Sequence, residues 1–243
     1  MLDYAVAAAV AVVAGAIAAM TGFGIGSLLT PVLALSVDIR LAVAAVSIPH
    51  VIGTAMRLAL LRGRIDRHVL LSFGLTSAAG GLAGAALYEI ASSRWLNLVF
   101  GGLLLFAAVS EMTGLARRMR FRGWEAWAAG ALSGLLGGLV GNQGGIRSAA
   151  LIGFNLSKEN FVATATAIAL FVDGARLPIY LASQHDELLS RWPWILAATT
   201  GVTAGTMVGS RVLKSVPDVW FRRILAATLA TLGALTVSRA FRS

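Results

Sequence analysis

Long apolar segments alternate along this chain with short polar or charged connections. Six of the segments are about 19 to 23 residues long, enough to cross a hydrocarbon core of ~30 Å at 1.5 Å per residue. These six run over residues 41–61, 69–91, 95–113, 161–183, 192–210 and 219–238. Four shorter segments cover residues 4–20, 27–37, 124–140 and 148–156. The pattern predicts an all-α polytopic membrane protein.

The four shorter segments form two pairs, and a glycine-rich stretch interrupts each pair. Residues 22–26 read "GFGIG", and residues 141–145 read "GNQGG". An interrupted helix frees backbone groups that cost several kcal/mol each if they stay unpaired in lipid. The segment that follows each break is also too short to span. We therefore expect two broken or re-entrant helical hairpins.

The same order, a hairpin followed by three long segments, occurs twice. Sliding the sequence along itself by 119 positions places Gly22 on Gly141 and Arg57 on Arg176. An arginine that recurs inside an apolar segment is hard to ascribe to chance. We expect two membrane repeats and a cytoplasmic linker, bounded as 1–116, 117–123 and 124–243.

The charged loops predict how the repeats are oriented. The loops "RGRIDRH" (62–68) and "RRMRFR" (117–122) are strongly basic, which favours the cytoplasmic side. The loop at 183–191 is net acidic and should lie outside. One hairpin and one long segment separate the last two loops, so the hairpin must return to its own side. The two repeats should then have inverted topology.

Composition agrees with a membrane protein. The chain is 58% hydrophobic and 13% charged, with a mean hydropathy of +0.81, whereas soluble domains have about 25% charged residues. The net charge of +9 does not indicate nucleic acid, because most basic residues flank apolar segments and should meet anionic lipid. The absence of cysteine excludes disulfides and thiolate metal sites.

The two breaks are the first candidate binding site. Paired interrupted helices in inverted repeats point to the central site of a transporter. Helix ends at a break favour anions, and amide and guanidinium groups donate to oxyanions. The alternative is close helix packing by small residues, with the arginine of the second break at the cytoplasmic surface. The candidate substrate-binding residues are Gly22, Gly24, Gly26, Ser27, Gly141, Asn142, Gln143, Gly144, Gly145 and Arg147.

Charged residues inside the long segments are the second set of candidates. A buried arginine in a membrane costs ~2.5 kcal/mol or more at the centre and is a functional candidate. Arg57 and Arg176 are therefore assigned to substrate binding or to a gating ion pair. Snorkelling is the alternative for Arg57, and pairing with Asp173 is the alternative for Arg176. His50 and Asp173 could couple protons or simply be hydrogen-bonded and ion-paired.

Other features complete the sequence picture. The stretches "GGLAG" (80–84) and "GVTAGTMVG" (201–209) are typical of packed membrane helices. The tryptophans fall near the ends of the long segments, as an aromatic belt requires. No metal-spaced cluster and no Ser-His-Asp grouping is recognisable, so we expect neither an enzyme nor a cofactor. An enzyme acting on lipid phosphates would need acids or histidines at a hairpin tip, and a partner subunit without transport activity is a further alternative.

Two stretches carry a family resemblance. "GFGIGSLLTPVLAL" and "GLLGGLVGNQGGIRSAALIGFNLS" resemble the TauE/SafE sulfite exporter family of bacterial permeases, also called the TSUP family. That family has two related halves, each with a glycine-rich stretch followed by a proline and leucines. Ala150 stands where the proline of the second half would be. The resemblance marks Gly22, Gly24, Gly26, Pro31, Gly141, Gly144 and Gly145.

The resemblance implies what the protein carries and where it works. Family members are associated with sulfite, sulfonates and other small organic anions. We expect a multi-pass protein of the bacterial inner membrane that exports such an anion by alternating access between its repeats. Its partners would be the small anion and the lipid bilayer, with no nucleic acid. The oligomeric state is open, a homodimer being one option.

Overall fold

The computed structural model describes residues 4–21, 24–119, 121, 123–212 and 218–242. The regular elements in this part of the chain are all helices, with no β-strand among them, which confirms the all-α class. Short helical turns at Leu115–Arg118 and His185–Ser190 lie in the connections. The ten main helices are α1 Tyr4–Thr21, α2 Ile25–Ala34, α3 Ile39–Leu61, α4 Arg67–Ile90, α5 Ser93–Thr113, α6 Trp124–Val140, α7 Gly144–Ile152, α8 Lys158–Ser183, α9 Trp192–Val212 and α10 Asp218–Arg239.

Several helices can cross a membrane. Within the described residues, five are long and apolar enough by length and composition: α1, α3, α4, α5 and most of α8. The predicted spans at 192–210 and 219–238 also form helices, of 21 and 22 residues, but α9 and α10 are not among the five. Helix α9 carries four threonines and one arginine, and α10 carries three threonines and four charged residues. The chain is a multi-pass membrane protein.

The helices pack in pairs through glycines. Helix α6 lies on α4, and a methyl group added at Gly84 would overlap the carbonyl oxygen of Leu135. Helix α1 lies on α9 in the same way, with Gly205 against the carbonyl oxygen of Val12. Small residues let membrane helices approach this closely because no side chain separates the two backbones. The packing role predicted for the stretches 80–84 and 201–209 is confirmed.

The remaining contacts bring the halves of the chain together at two further places. Helix α5 packs on α10, and α3 packs on α8. In the second pair His50 meets Asp173, whereas Arg57, further along α3, meets Thr166, which lies earlier along α8. The two helices are therefore antiparallel where they cross.

Both predicted breaks separate two helices. Between α1 and α2, Gly24 has φ of +133°, a conformation that only glycine adopts readily. Between α6 and α7, Gly141 has φ of +74° and its N–H donates to the carbonyl oxygen of Gly137 at 2.9 Å. Such a left-handed cap is a common helix end.

The helices after the breaks start earlier than the apolar pattern predicts. The segments predicted at 27–37 and 148–156 are observed as Ile25–Ala34 and Gly144–Ile152. The second predicted segment began after Arg147, but α7 includes this polar residue in its first turns. The connection predicted at 183–191 contains the short helix His185–Ser190.

The packing of α4 on α6 predicts opposite effects for two glycine substitutions. Gly84→Ala should lower stability by about 1–3 kcal/mol, since the methyl group meets backbone that cannot move aside. Gly102→Ala should raise stability slightly, because nothing lies within 4 Å of an added Cβ there and alanine favours a helix. Thermal unfolding of the two variants in detergent measures the difference. Equal melting temperatures would contradict the proposed role of Gly84.

Candidate functional site

The two breaks meet inside the protein. A Cβ atom built on Gly26 would lie 2.5 Å from the carbonyl oxygen of Gly141, so the backbones of the two hairpins are in contact. The hydroxyl of Ser27 donates to the Oδ1 atom of Asn142 at 3.2 Å. Both of these polar side chains are buried. The hairpin tips therefore form one polar region in the interior of the bundle.

A buried arginine lies beside the end of each helix that precedes a break. The Nη1 atom of Arg57 donates to the carbonyl oxygen of Ala18 at 2.6 Å. The Nη1 atom of Arg176 donates to the carbonyl oxygen of Gly137 at 2.8 Å. Ala18 and Gly137 lie three residues before the ends of α1 and α6. Helix C-termini carry partial negative charge, which a guanidinium balances.

The side chain of Arg57 points inward. It is only 4% exposed, and its Nε atom donates to the hydroxyl of Thr166 at 2.9 Å. Snorkelling to the membrane surface is therefore the wrong alternative for this residue. Thr166 was not among the predicted site residues, and the polar run "TAT" at 164–166 inside an apolar segment was the available signal.

Asp173 joins an arginine to a histidine. Its Oδ1 atom lies 2.8 Å from Nη2 and 3.0 Å from Nε of Arg176. Its Oδ2 atom lies 2.7 Å from Nδ1 of His50. The ion pair predicted between Asp173 and Arg176 is present, and the contact with His50 extends it from α8 to α3. Asp173 is fully buried, so this carboxylate serves two partners at once.

Arg147 belongs to the same cluster. Its side chain is 2% exposed, so the alternative of a surface position is wrong. Arg147 lies close enough to Arg57, Asp173 and Arg176 for their charges to act on it. Charges in such an interior are weakly screened.

Gln143 presents an amide to this cluster. Its side chain packs against Gly137, with Cδ 3.1 Å from the position of an added Cβ. It is 5% exposed, and neither amide atom makes a hydrogen bond with any described residue. Leaving such a group unsatisfied costs about 1–3 kcal/mol. The amide is therefore available to a ligand that can donate, accept or do both.

The sequence found most of this region but not all of it. Gly144 and Gly145 are the first residues of α7. Gly22 lies outside the described residues. A contact that the sequence did not indicate is the hydroxyl of Tyr180, which donates to the carbonyl oxygen of Gly138. The Tyr180 ring also lies 5.7 Å from the guanidinium carbon of Arg176.

The charges of this cluster do not balance. It holds the guanidiniums of Arg57, Arg147 and Arg176 and one carboxylate, that of Asp173. Among the described side chains of this cluster, guanidiniums therefore outnumber carboxylates. Unbalanced charge is costly in a buried site and is relieved by a counter-ion. A polytopic membrane protein with such an interior site has the features of an anion transporter.

Family comparison agrees with that class. The family model described as "Sulfite exporter TauE/SafE" matches residues 7–236, nearly the whole chain. The chain therefore belongs to the TauE/SafE sulfite exporter family, and the protein is a membrane transporter rather than an enzyme. No curated protein and no solved structure matches the chain.

The shared carboxylate predicts a large stability effect. Asp173→Asn should destabilise the protein by about 3–5 kcal/mol, because it leaves Arg176 charged and buried without its partner. Glu159→Gln is the matched control, since its pair with Arg64 is 63% exposed on both sides and worth at most ~1 kcal/mol. Thermal unfolding in detergent checks both variants. A similar small loss for the two would show that the buried pair contributes little.

Proposed function

We propose that the protein exports a small anion, such as sulfite, an organosulfonate or a related organic acid, across the bacterial inner membrane. Membership of the family supports an anion transporter. The observation that carries the proposal is the excess of buried positive charge where the two breaks meet. An anion bound there would lie among more guanidiniums than carboxylates of the described residues.

In the proposed mechanism the units that move are two inverted repeats, 1–116 and 124–243. Helix pairing supports this: α1 packs on α9 as α6 packs on α4, and the equivalent helices α3 and α8 are antiparallel. The arginine contacts support it as well. A shift of 119 residues carries the contact of Arg57 with Ala18 onto that of Arg176 with Gly137. Rocking of one repeat against the other would expose the central site to each side in turn.

Within the site the three arginines have different roles. Arg176 is already neutralised by Asp173, whereas Arg57 donates to neutral oxygens of Thr166 and Ala18. The anion would therefore lie nearer Arg57 and Arg147. The first turns of α2 and α7 add backbone N–H groups and the positive ends of helix dipoles. The amide of Gln143 would contact the part of the anion that is not held by a guanidinium.

The membrane potential would drive export. A potential that is negative inside favours anion export by ~2.3 kcal/mol per charge for each 100 mV. The contact of His50 with Asp173 offers a place for a coupled proton, because protonated His50 would balance the charge of the carboxylate. A proton that moved with the anion would cancel one unit of its charge, so a pH gradient that is acidic outside would oppose export by this coupled route.

Anion binding should depend on Arg147. Binding of radiolabelled sulfite to the purified protein should be saturable, with methanesulfonate and acetate as competitors. Arg147→Gln should weaken binding at least tenfold, since a charged hydrogen bond contributes about 1.5–3 kcal/mol. Arg147→Lys keeps the positive charge but loses the planar guanidinium. Its affinity for sulfite should lie between that of the wild type and that of Arg147→Gln.

The exposed residue Arg67 supplies the control for this experiment. Arg67→Gln removes one positive charge near the membrane surface and should leave binding unchanged. Saturable binding that is indifferent to Arg147→Gln in folded protein would refute the proposed position of the anion. If Arg147→Gln and Arg67→Gln weakened sulfite binding equally, the loss would be explained by net charge rather than by a contact of Arg147 with the anion.

Proton coupling should depend on His50. In proteoliposomes with the membrane potential clamped at zero, a pH gradient should drive anion flux through the wild-type protein. His50→Gln should remove that response and leave flux driven by a potential. His68→Gln, at an exposed position, should behave like the wild type. A full response to the pH gradient in His50→Gln would assign coupling to another group.

A further inference from the structure

A basic cavity lies away from the central site. It has a volume of about 540 Å³ and is formed where the end of α5 approaches the start of α10. Arginines at three positions dominate its lining, with one acid among them. The charged lining residues are Glu111, Arg118, Arg222 and Arg223.

The acid does not balance these arginines. Glu111 approaches Arg222, with 3.4 Å between Oε2 and Nη1. Among the described side chains, no carboxylate pairs with Arg118 or Arg223. The guanidinium of Arg223 lies 5.7 Å from the ring centre of Trp220. A stacked guanidinium keeps its N–H edge for a phosphate or carboxylate.

Apolar side chains flank the cavity on the outside of the bundle. Met112, Trp220 and Ile224 are 75%, 60% and 62% exposed. Met112 lines the cavity, Ile224 follows the lining residue Arg223, and Trp220 lies two residues before the lining residue Arg222. In a membrane protein such side chains face lipid, and an exposed tryptophan near a helix end marks the interface. The cavity thus has cationic groups at the interface and apolar surface beside them.

That combination matches a phospholipid better than a soluble anion. A soluble phosphate would use the guanidiniums and leave the exposed apolar surface without a role. Because the basic loop at 117–122 predicts the cytoplasmic side, the cavity would face the leaflet whose anionic lipids attract basic groups. We infer that the cavity binds the phosphate of an anionic phospholipid, with the acyl chains along Met112, Trp220 and Ile224.

Lipid binding can be measured directly on the purified protein. Native mass spectrometry with added phosphatidylglycerol or phosphatidylcholine gives the occupancy of each lipid. We expect a clear preference for phosphatidylglycerol in the wild type. Arg118→Gln combined with Arg223→Gln should weaken the binding of phosphatidylglycerol about thirtyfold, because each arginine near the surface attracts the anionic lipid. Arg118→Lys with Arg223→Lys should retain most of the preference, which separates loss of binding from misfolding.

The control removes two arginines from the other basic loop. Arg64→Gln with Arg67→Gln should leave lipid occupancy within about twofold of the wild type, because general surface attraction is salt-screened and not site-bound. Equal loss in both double variants, or equal occupancy by the two lipids, would overturn the proposal. Displacement of phosphatidylglycerol by equimolar glycerol phosphate would assign the cavity to a soluble anion instead. None of these outcomes depends on transport by the central site.

Discussion

The interior of this protein depends on guanidiniums that lie at the ends of broken helices. A helix that stops inside a membrane presents the negative end of its dipole to surroundings without water, and that arrangement is unfavourable. Arg57 and Arg176 donate to carbonyl oxygens in the last turns of α1 and α6 and so place positive charge at both ends. The breaks are stable because these arginines are buried beside them.

The helix C-termini and the helix N-termini at the two breaks have different partners. The C-termini of α1 and α6 are balanced by arginines from α3 and α8. The first turns of α2 and α7, which carry positive partial charge, are left to face the same region together with Arg147. The charge that stabilises the breaks would thus also serve the proposed anion site. The same buried guanidiniums and helix ends would therefore account for the stability of the breaks and for the proposed anion binding.

The two halves differ where charge is concerned. A shift of 119 residues places Thr54 at the position of Asp173, and both side chains are fully buried. In the second half the carboxylate of Asp173 pairs with Arg176, and a histidine from the first half joins that pair. The framework that glycine contacts hold between helices thus acquires one polarised side.

The sequence by itself determined the helices, the breaks and the buried arginines, because lipid tolerates few charges or interrupted helices and each departure is visible in an apolar segment. It also placed His50, Asp173 and Arg147 among the candidates. Only the tertiary structure decided their partners, since Thr166, Ala18 and Gly137 lie far from the arginines in sequence. It alone showed that the amide of Gln143 is buried with no partner among the described residues. Hydropathy records how much polarity a helix carries, whereas the crossing of helices determines which polar groups meet.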